Sequence, residues 1–403
     1  MIHKYSLLLL ILLLSCKPKE PEQEAKYPIV VKNNPSSLGL VSIRDLMEDV
    51  EYIKLSSSDR FFLSSASKIS SLGDKIFIRD KNKKALVSFD QAGNFLGTVG
   101  TKGLGPGEYR SVTDFDVHPQ RNSIFVFSRG DKAILEFDYD LKFKKQFIVE
   151  NWAFGMSVLS NGQIAVYTYF DARDNNILIY DPDTGIIVDE RMPYPSSLVP
   201  KSMDYTGYLR GDYYTYPLSS RVYRLNMMEE LDSAYFDISF PDQRPEELKF
   251  EHEEYLTETN RLGNEILGDF SVGESGQELI FYYGYRVAGR SGITLGVRTR
   301  SGEVFGHTKL KHGGRSFSEA FVKLFFLSPY NLPKYSKKDG YYYVIPTQEG
   351  MYNVYGPDRE SFLNEIKDTD KQLHDLLYAM NDGDNPILMR FRLKDMFYSF
   401  EEK

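Results

Sequence analysis

Cysteine is almost missing from this chain of 403 residues: Cys16 stands alone. One thiol has no partner for an intramolecular disulfide, so the fold rests on burial and not on covalent staples. Long apolar runs are scarce too. Leu7 to Leu14 is unbroken, but its eight residues fall short of the roughly 20 that a membrane-spanning helix needs. No run of Lys and Arg stands out, and the formal net charge is −8. Nucleic acid is therefore not expected as a partner, because phosphate binding needs a concentrated basic surface. Catalytic motifs are thin as well. The sequence has no G-x-S-x-G nucleophile elbow and no G-x-x-x-x-G-K-[ST] phosphate loop. No metal site is legible, and no cofactor is expected.

Aromatic residues are abundant instead, at 14% of the chain, with 29 Tyr and 27 Phe. They favour strands. The stretch from Lys75 to Tyr109 shows how they are used. KIFIRD is a mostly apolar run suited to a buried strand, Lys81-Asn82-Lys83 turns the chain, and Ala85 to Phe89 is a second strand. A turn at Asp90 to Asn94 leads to a third, Phe95 to Val99. Similar strands recur near Lys75, Ser123, Gln163, Asp212, Glu278 and Gly340. Most are followed by another strand ending in a turn, as at Val87, Leu135, Leu178, Val222 and Gly296. The early intervals of roughly 40–50 residues match a four-stranded propeller blade. Six such units fit the length, so an all-β, six-bladed β-propeller is expected over residues 45–403.

Insertions interrupt the later units. Pro245 to Ile266 has apolar residues at near-helical spacing and predicts one or two helical turns. Asp358 to Met380 predicts one amphipathic helix, with Phe362, Leu363, Ile366, Leu373, Leu376, Leu377 and Met380 on a stripe. It is expected to pack on the last blade. NPILMRFRLK, from Asn385 to Lys394, reads as a strand again. VEYIKLS, from Val50 to Ser56, is a strand with no hairpin partner after it. Pairing these two would close the ring and leave only short edges.

The N-terminus reads as an address. Lys4 precedes the apolar run, as in a signal peptide spanning residues 1–15. Leu13-Leu14-Ser15-Cys16 resembles a bacterial lipobox, in which the cysteine becomes acylated after cleavage. Several acyl chains at ~0.8 kcal/mol per buried CH2 make a stable anchor. Residues 16–44 are rich in Pro, Glu and Lys near their start and are expected to form a flexible tether. Lys19, Glu20 and Glu22 resemble the acidic export signals of surface lipoproteins, though a plain spacer fits equally.

One segment carries a wider resemblance. FDQAGNFLGTVGTKGLGPGEYRSVTDFDVHPQRNSIFV resembles the six-bladed β-propeller lipoproteins of Bacteroidota, related to NHL-repeat and TolB-like propellers. The matching residues are Phe89-Asp90, Gly93, Gly100, the loop from Gly103 to Tyr109, and Asp114-Phe115. The lipobox, the EYIKL strand and the terminal NPILMRFRLK strand match as well. The resemblance implies a six-bladed propeller and an outer-membrane location, periplasmic or surface-facing; a monomer is expected. It implies no single activity, because propellers host enzymes and binding scaffolds alike.

Candidate ligand contacts follow from position. Glu108, Tyr109 and Arg110 leave the glycine loop beside a strand expected to line the central channel. Asp114 and Asp116 sit two apart, so a strand points both to one face. They suit acid–base work or the simpler task of satisfying backbone groups. Trp152, the only tryptophan, lies at another crossing between units. The tyrosine clusters at 213–216, 282–285 and 341–343 fit the packing between blades. Asp181 to Gly185 and Asn381 to Asn385 read as turns and not as calcium loops. Two functions stay open: a lipid-anchored binding or scaffold protein for a glycan, peptide or envelope protein, or a hydrolase or lyase with a metal at the channel. The first is favoured. Replacing Cys16 by Ala is expected to move the protein from the membrane to the soluble fraction with its fold intact. Unchanged membrane retention in a fractionation assay would remove the lipoprotein reading.

Overall fold

The fold is described from a computed structural model. It describes residues 29–32, 43–57, 61–149, 151–168, 175–193, 208–216, 221–225, 235–239, 266–273, 276–287, 290–302, 304–311, 320–326, 333–336, 339–346, 348–381 and 383–394. The chain begins with β1 (Ile29–Lys32) and β2 (Met47–Lys54), whose partners lie far along the sequence. Blade one holds β3 (Ala66–Leu72), β4 (Lys75–Asp80), β5 (Ala85–Asp90) and β6 (Phe95–Thr98). The glycine loop then forms a small parallel pair, β7 (Thr101–Lys102) with β8 (Glu108–Tyr109). Blade two is β9 (Asp114–His118), β10 (Ser123–Ser128), β11 (Ala133–Asp138) and β12 (Phe143–Ile148). Blade three is β13 (Gly155–Val158), β14 (Ile164–Tyr167), β15 (Asn175–Tyr180) and β16 (Ile187–Pro193).

Blade four contains β17 (Tyr208–Arg210), β18 (Tyr213–Thr215), β19 (Arg221–Arg224) and β20 (Phe236–Ser239). Blade five contains β21 (Ile266–Val272), β22 (Leu279–Val287), β23 (Arg290–Arg298) and β24 (Val304–Lys311). Blade six is β25 (Lys334–Ser336), β26 (Tyr341–Val344), β27 (Ile387–Leu393) and, on its outer edge, β2. The first strand of each blade touches the first strand of the next, and β25 touches β3. The protein is a six-bladed β-propeller. The recurring strands of the sequence are the second strand of each blade, and the channel-lining strand precedes each one.

Side-chain alternation builds the ring. Ile76 and Ile78 of β4 pack with Tyr343 and Leu388 of blade six. Phe77, between them, packs with Phe115 and Val126 of blade two. Phe125 and Phe127 face Met156 and Val166 of blade three. A strand buried on both faces needs a continuous apolar run, which is why SIFVFS is buried throughout. Tyr214 joins the core between blades three and four, Tyr213 that between four and five, and Tyr282 and Tyr342 that between five and six.

Closure follows the expected route. β2 pairs antiparallel with β27, Tyr52 opposite Met389 and Ile53 opposite Leu388. Asn385, fully buried, fixes the seam. Its Oδ1 accepts from Leu63 N at 2.6 Å, and its Nδ2 donates to Ser56 O at 2.8 Å. Its own N donates to Ser57 Oγ at 2.7 Å.

Three sequence expectations change. The amphipathic stretch is two helices, Arg359–Thr369 and Lys371–Tyr378. Asp370 breaks it, because its carboxylate accepts from Leu373 N and caps the second helix. The same carboxylate accepts from the Arg44 guanidinium at 3.1 Å and from Tyr52 Oη at 2.6 Å, which ties the insertion to β2. The apolar stripe nonetheless packs as expected on blade six and also on blade five. Ile266 begins β21 and is not helical; the rest of the helical turns expected from Pro245 lie outside the described residues. Third, Ile29–Lys32, placed in the tether by the composition around it, is a strand. It pairs parallel with β20, and its Val31 is fully buried beside Phe236 and Ile238. The short β-branched run IVV was hidden by its polar surroundings.

Asn385→Ala strands the buried Leu63 N–H and removes the bond to Ser56. We expect it to lower the unfolding free energy by about 2 kcal/mol, measured by urea denaturation. An unchanged midpoint would mean that the seam is not held there.

Candidate functional site at the channel mouth

One end of the channel collects the polar groups of blades one to three. Antiparallel pairing places the start of β3, the end of β4, the start of β9 and the β10–β11 turn at the same end. The crossing that leads into β13 arrives there too. Both carboxylates of β9 lie on one face, as the spacing of Asp114 and Asp116 requires. Asp114 Oδ1 accepts from Lys68 Nζ of β3 at 3.0 Å, and Oδ2 accepts from Met156 N of β13 at 2.9 Å. Asp116 Oδ2 accepts from Val158 N at 2.9 Å and from Ser157 Oγ at 2.8 Å. Ser157 Oγ in turn accepts from Gly211 N of blade four at 2.8 Å. These groups link the inner strands of blades one, two and three, which share no backbone ladder, and reach the β17–β18 turn of blade four. The two aspartates are spent on fastening blades together.

The glycine loop has its own logic. Glu108 folds back, and its Oε2 accepts from Gly105 N at 2.9 Å. A Cβ on Gly103 would meet that oxygen, so a larger residue there would push the Glu108 carboxylate out of its bond to Gly105. Tyr109 is 1% exposed and donates its hydroxyl to Val99 O at 2.7 Å. Burial pushes its phenol up to about 12. It belongs to the core between blades one and two. Arg110 is exposed; its Nε sits 3.2 Å from Asp131 and its backbone N donates to the same carboxylate. Trp152 is 50% exposed at the rim.

Two arginines join this end that the sequence reasoning missed. Arg79, at the end of KIFIRD, donates Nε to Val112 O at 3.1 Å and Nη1 to Ser67 Oγ at 3.0 Å. Burial lowers its pKa, and the charges of Asp114 and Asp80 oppose that shift. Arg129, in the β10–β11 turn, lies with Cζ 4.3 Å from the Phe154 ring and 5.7 Å from the Trp152 ring. The available signal was an arginine closing an apolar strand, in FIRD and in FSRGD. A narrow crevice beside Lys68, lined also by Ser67, Lys334 and Tyr343, opens where blades six and one meet. Among the described residues, no three His, Cys, Asp or Glu side chains converge as metal ligands would. Asp181 and Asp384 accept from backbone N–H groups inside their own turns.

A family model described as Domain of unknown function (DUF4934) matches residues 27–392. The chain belongs to that family. Among solved structures, this DUF4934 chain is similar to BF0058 of Bacteroides fragilis NCTC 9343, whose given name is that of an exported protein. The TM-score is 0.64 at 20% identity, over 91% of this chain and 99% of that one. A member of the DUF4221 family from Bacteroides vulgatus ATCC 8482 aligns with a TM-score of 0.52 at 8% identity, over 87% of this chain and 98% of that one. At these identities the likeness shows the fold alone. No match was found among curated proteins. Among the described residues of the DUF4934 chain, no helix is long and apolar enough to cross a membrane.

Burial alone would raise the pKa of Asp114. The Lys68 charge, the Met156 N–H and the Arg79 charge outweigh it and leave the carboxyl below its usual range. A depressed folded pKa gives stability that is present above the unfolded value of about 3.9 and is lost as pH falls through the folded value. We expect Asp114→Asn to cost about 3 kcal/mol at pH 7 and to flatten the fall in melting temperature between about pH 5 and pH 3. An acid limb as steep as in the unmodified protein would show that Asp114 is not the group responsible.

Proposed function

We propose that this protein is a cell-envelope binding propeller. It is held to the outer membrane by lipid on Cys16 and presents the blade one to three end of its channel to a glycan, peptide or envelope protein. The observation that carries this reading is the division of labour at that end. The carboxylates best placed for acid–base chemistry, Asp114 and Asp116, already accept backbone N–H groups from the neighbouring blade. The groups turned to the rim are Arg110, Arg129 and Trp152, a cationic and aromatic set suited to recognition. The apolar run before Cys16 and the exported relative BF0058 support the location.

The test is a glycan and peptide array probed with the full-length, detergent-solubilised protein and with its Trp152→Ala variant. We expect a selective set of binders, weakened roughly tenfold or more by the variant at an unchanged melting temperature. Chemical turnover of a bound probe, lost on chelation, would replace this reading with the enzymatic one.

A further inference from the structure

Among the described residues, Arg129 has aromatic walls and no side-chain acceptor. Its backbone N donates to Thr113 Oγ1 at 3.0 Å, which fixes the turn. Among the described residues, no carboxylate, carbonyl or hydroxyl accepts from its guanidinium, and its Nε is buried without a hydrogen-bond partner. The neighbouring arginines differ. Arg110 has Asp131, and Arg79 has Val112 O, Ser67 Oγ and the nearby charges of Asp114 and Asp80. Burial and then the charge of Arg79 lower the pKa of Arg129, as befits a cation placed without its counter-ion. A half-buried guanidinium with nothing to bind costs stability unless something else rewards the arrangement. Beside it stands the half-exposed indole of Trp152.

We propose that Arg129 and Trp152 form a subsite for a uronate residue of an acidic saccharide, with the carboxylate on the guanidinium and the sugar ring against the indole. This rests on the binding reading above and gives it a ligand class. The choice among anions follows from charge and shape. Arg79 has donors committed elsewhere, so the spot offers one open guanidinium. One guanidinium matches a singly charged, planar carboxylate in a two-point geometry; a phosphate monoester dianion calls for more than one cation. The apolar walls favour a ligand with a flat C–H face next to its charge, which a pyranose bearing a carboxylate supplies.

Trp152 is the only tryptophan in the chain, so intrinsic tryptophan fluorescence reports on this position alone. The full-length protein is titrated with trigalacturonate and, separately, with its carboxyl-reduced neutral form. We expect a saturable change with the acid form, at least tenfold weaker apparent affinity for the neutral form, and weakening with added salt. Arg129→Gln should weaken the acid form roughly ten- to hundredfold while leaving the neutral form unchanged. Arg129→Lys, which keeps the charge but loses the planar fork, should fall between. No saturable change with trigalacturonate, equal binding of both forms, or full binding by Arg129→Gln of unchanged melting temperature would overturn the proposal. A saturable response to the neutral sugar, to a peptide carboxylate or to a sulfated sugar in preference to the uronate would overturn it as well. That last result would leave the binding propeller standing, whereas an array without any binder would remove both.

Discussion

Among the described residues, the middle strands of the blades are buried on both faces, and that constraint organises the rest. A middle strand has no solvent side, so consecutive residues serve different cores: Phe77 looks to blade two while Ile76 and Ile78 look to blade six. No blade can be stable alone, because each owns only half of the two cores it helps to form. The ring must therefore close. The seam between blades six and one has the same apolar core as the other junctions and, in addition, the buried amide of Asn385. The lone cysteine fits this picture, since a molecule held by six shared cores has little need of a cross-link.

Polar fastening is added where hydrophobic packing narrows, at the inner strands. Lys68, Asp114, Asp116 and Ser157 form a run of donors and acceptors from blade one to blade four. Removing any member would leave a neighbour's buried group unsatisfied, which costs more than a well-made bond contributes. This fixes the rim as well. The crossing that presents Trp152 runs into β13, which these aspartates fasten to β9, and the turn that presents Arg129 extends β10, the ladder partner of β9. Recognition groups on loops are thus set by a stiff frame beneath them.

Much of the architecture was legible because strand burial and turn chemistry write themselves locally. The run SIFVFS, the turn at Asp90 to Asn94 and the partnerless VEYIKLS each announced a role that the fold gives them. Strand numbering within a blade was less legible. The inner strands, such as Gly155–Val158, are short and carry few apolar residues, so the louder second strands looked like the beginnings of units. Residues that change meaning through distant partners were hidden. Asp370 reads as one more polar residue on a helix until Arg44 and Tyr52 arrive from over 300 positions away. Arg129 reads as a turn residue until Phe154 and Trp152 come to it from the next blade. Tyr109 shows the converse: its place after a glycine loop suggested a surface, and the loop instead folds it inward.

The pairing of β2 with β27 also sets an order of events during synthesis. β2 is made within the first sixty residues, and its partner Ile387–Leu393 arrives only near the end. For most of its translation the chain is an open arc, with β2 waiting as an unclaimed edge. Its solvent-facing residues suit that wait. Glu48, Asp49, Glu51 and Lys54 are charged and exposed, a composition that discourages pairing with the wrong strand. A nascent chain stopped before residue 387 would lack the strand that pairs with β2, and its ring would stay open at this seam.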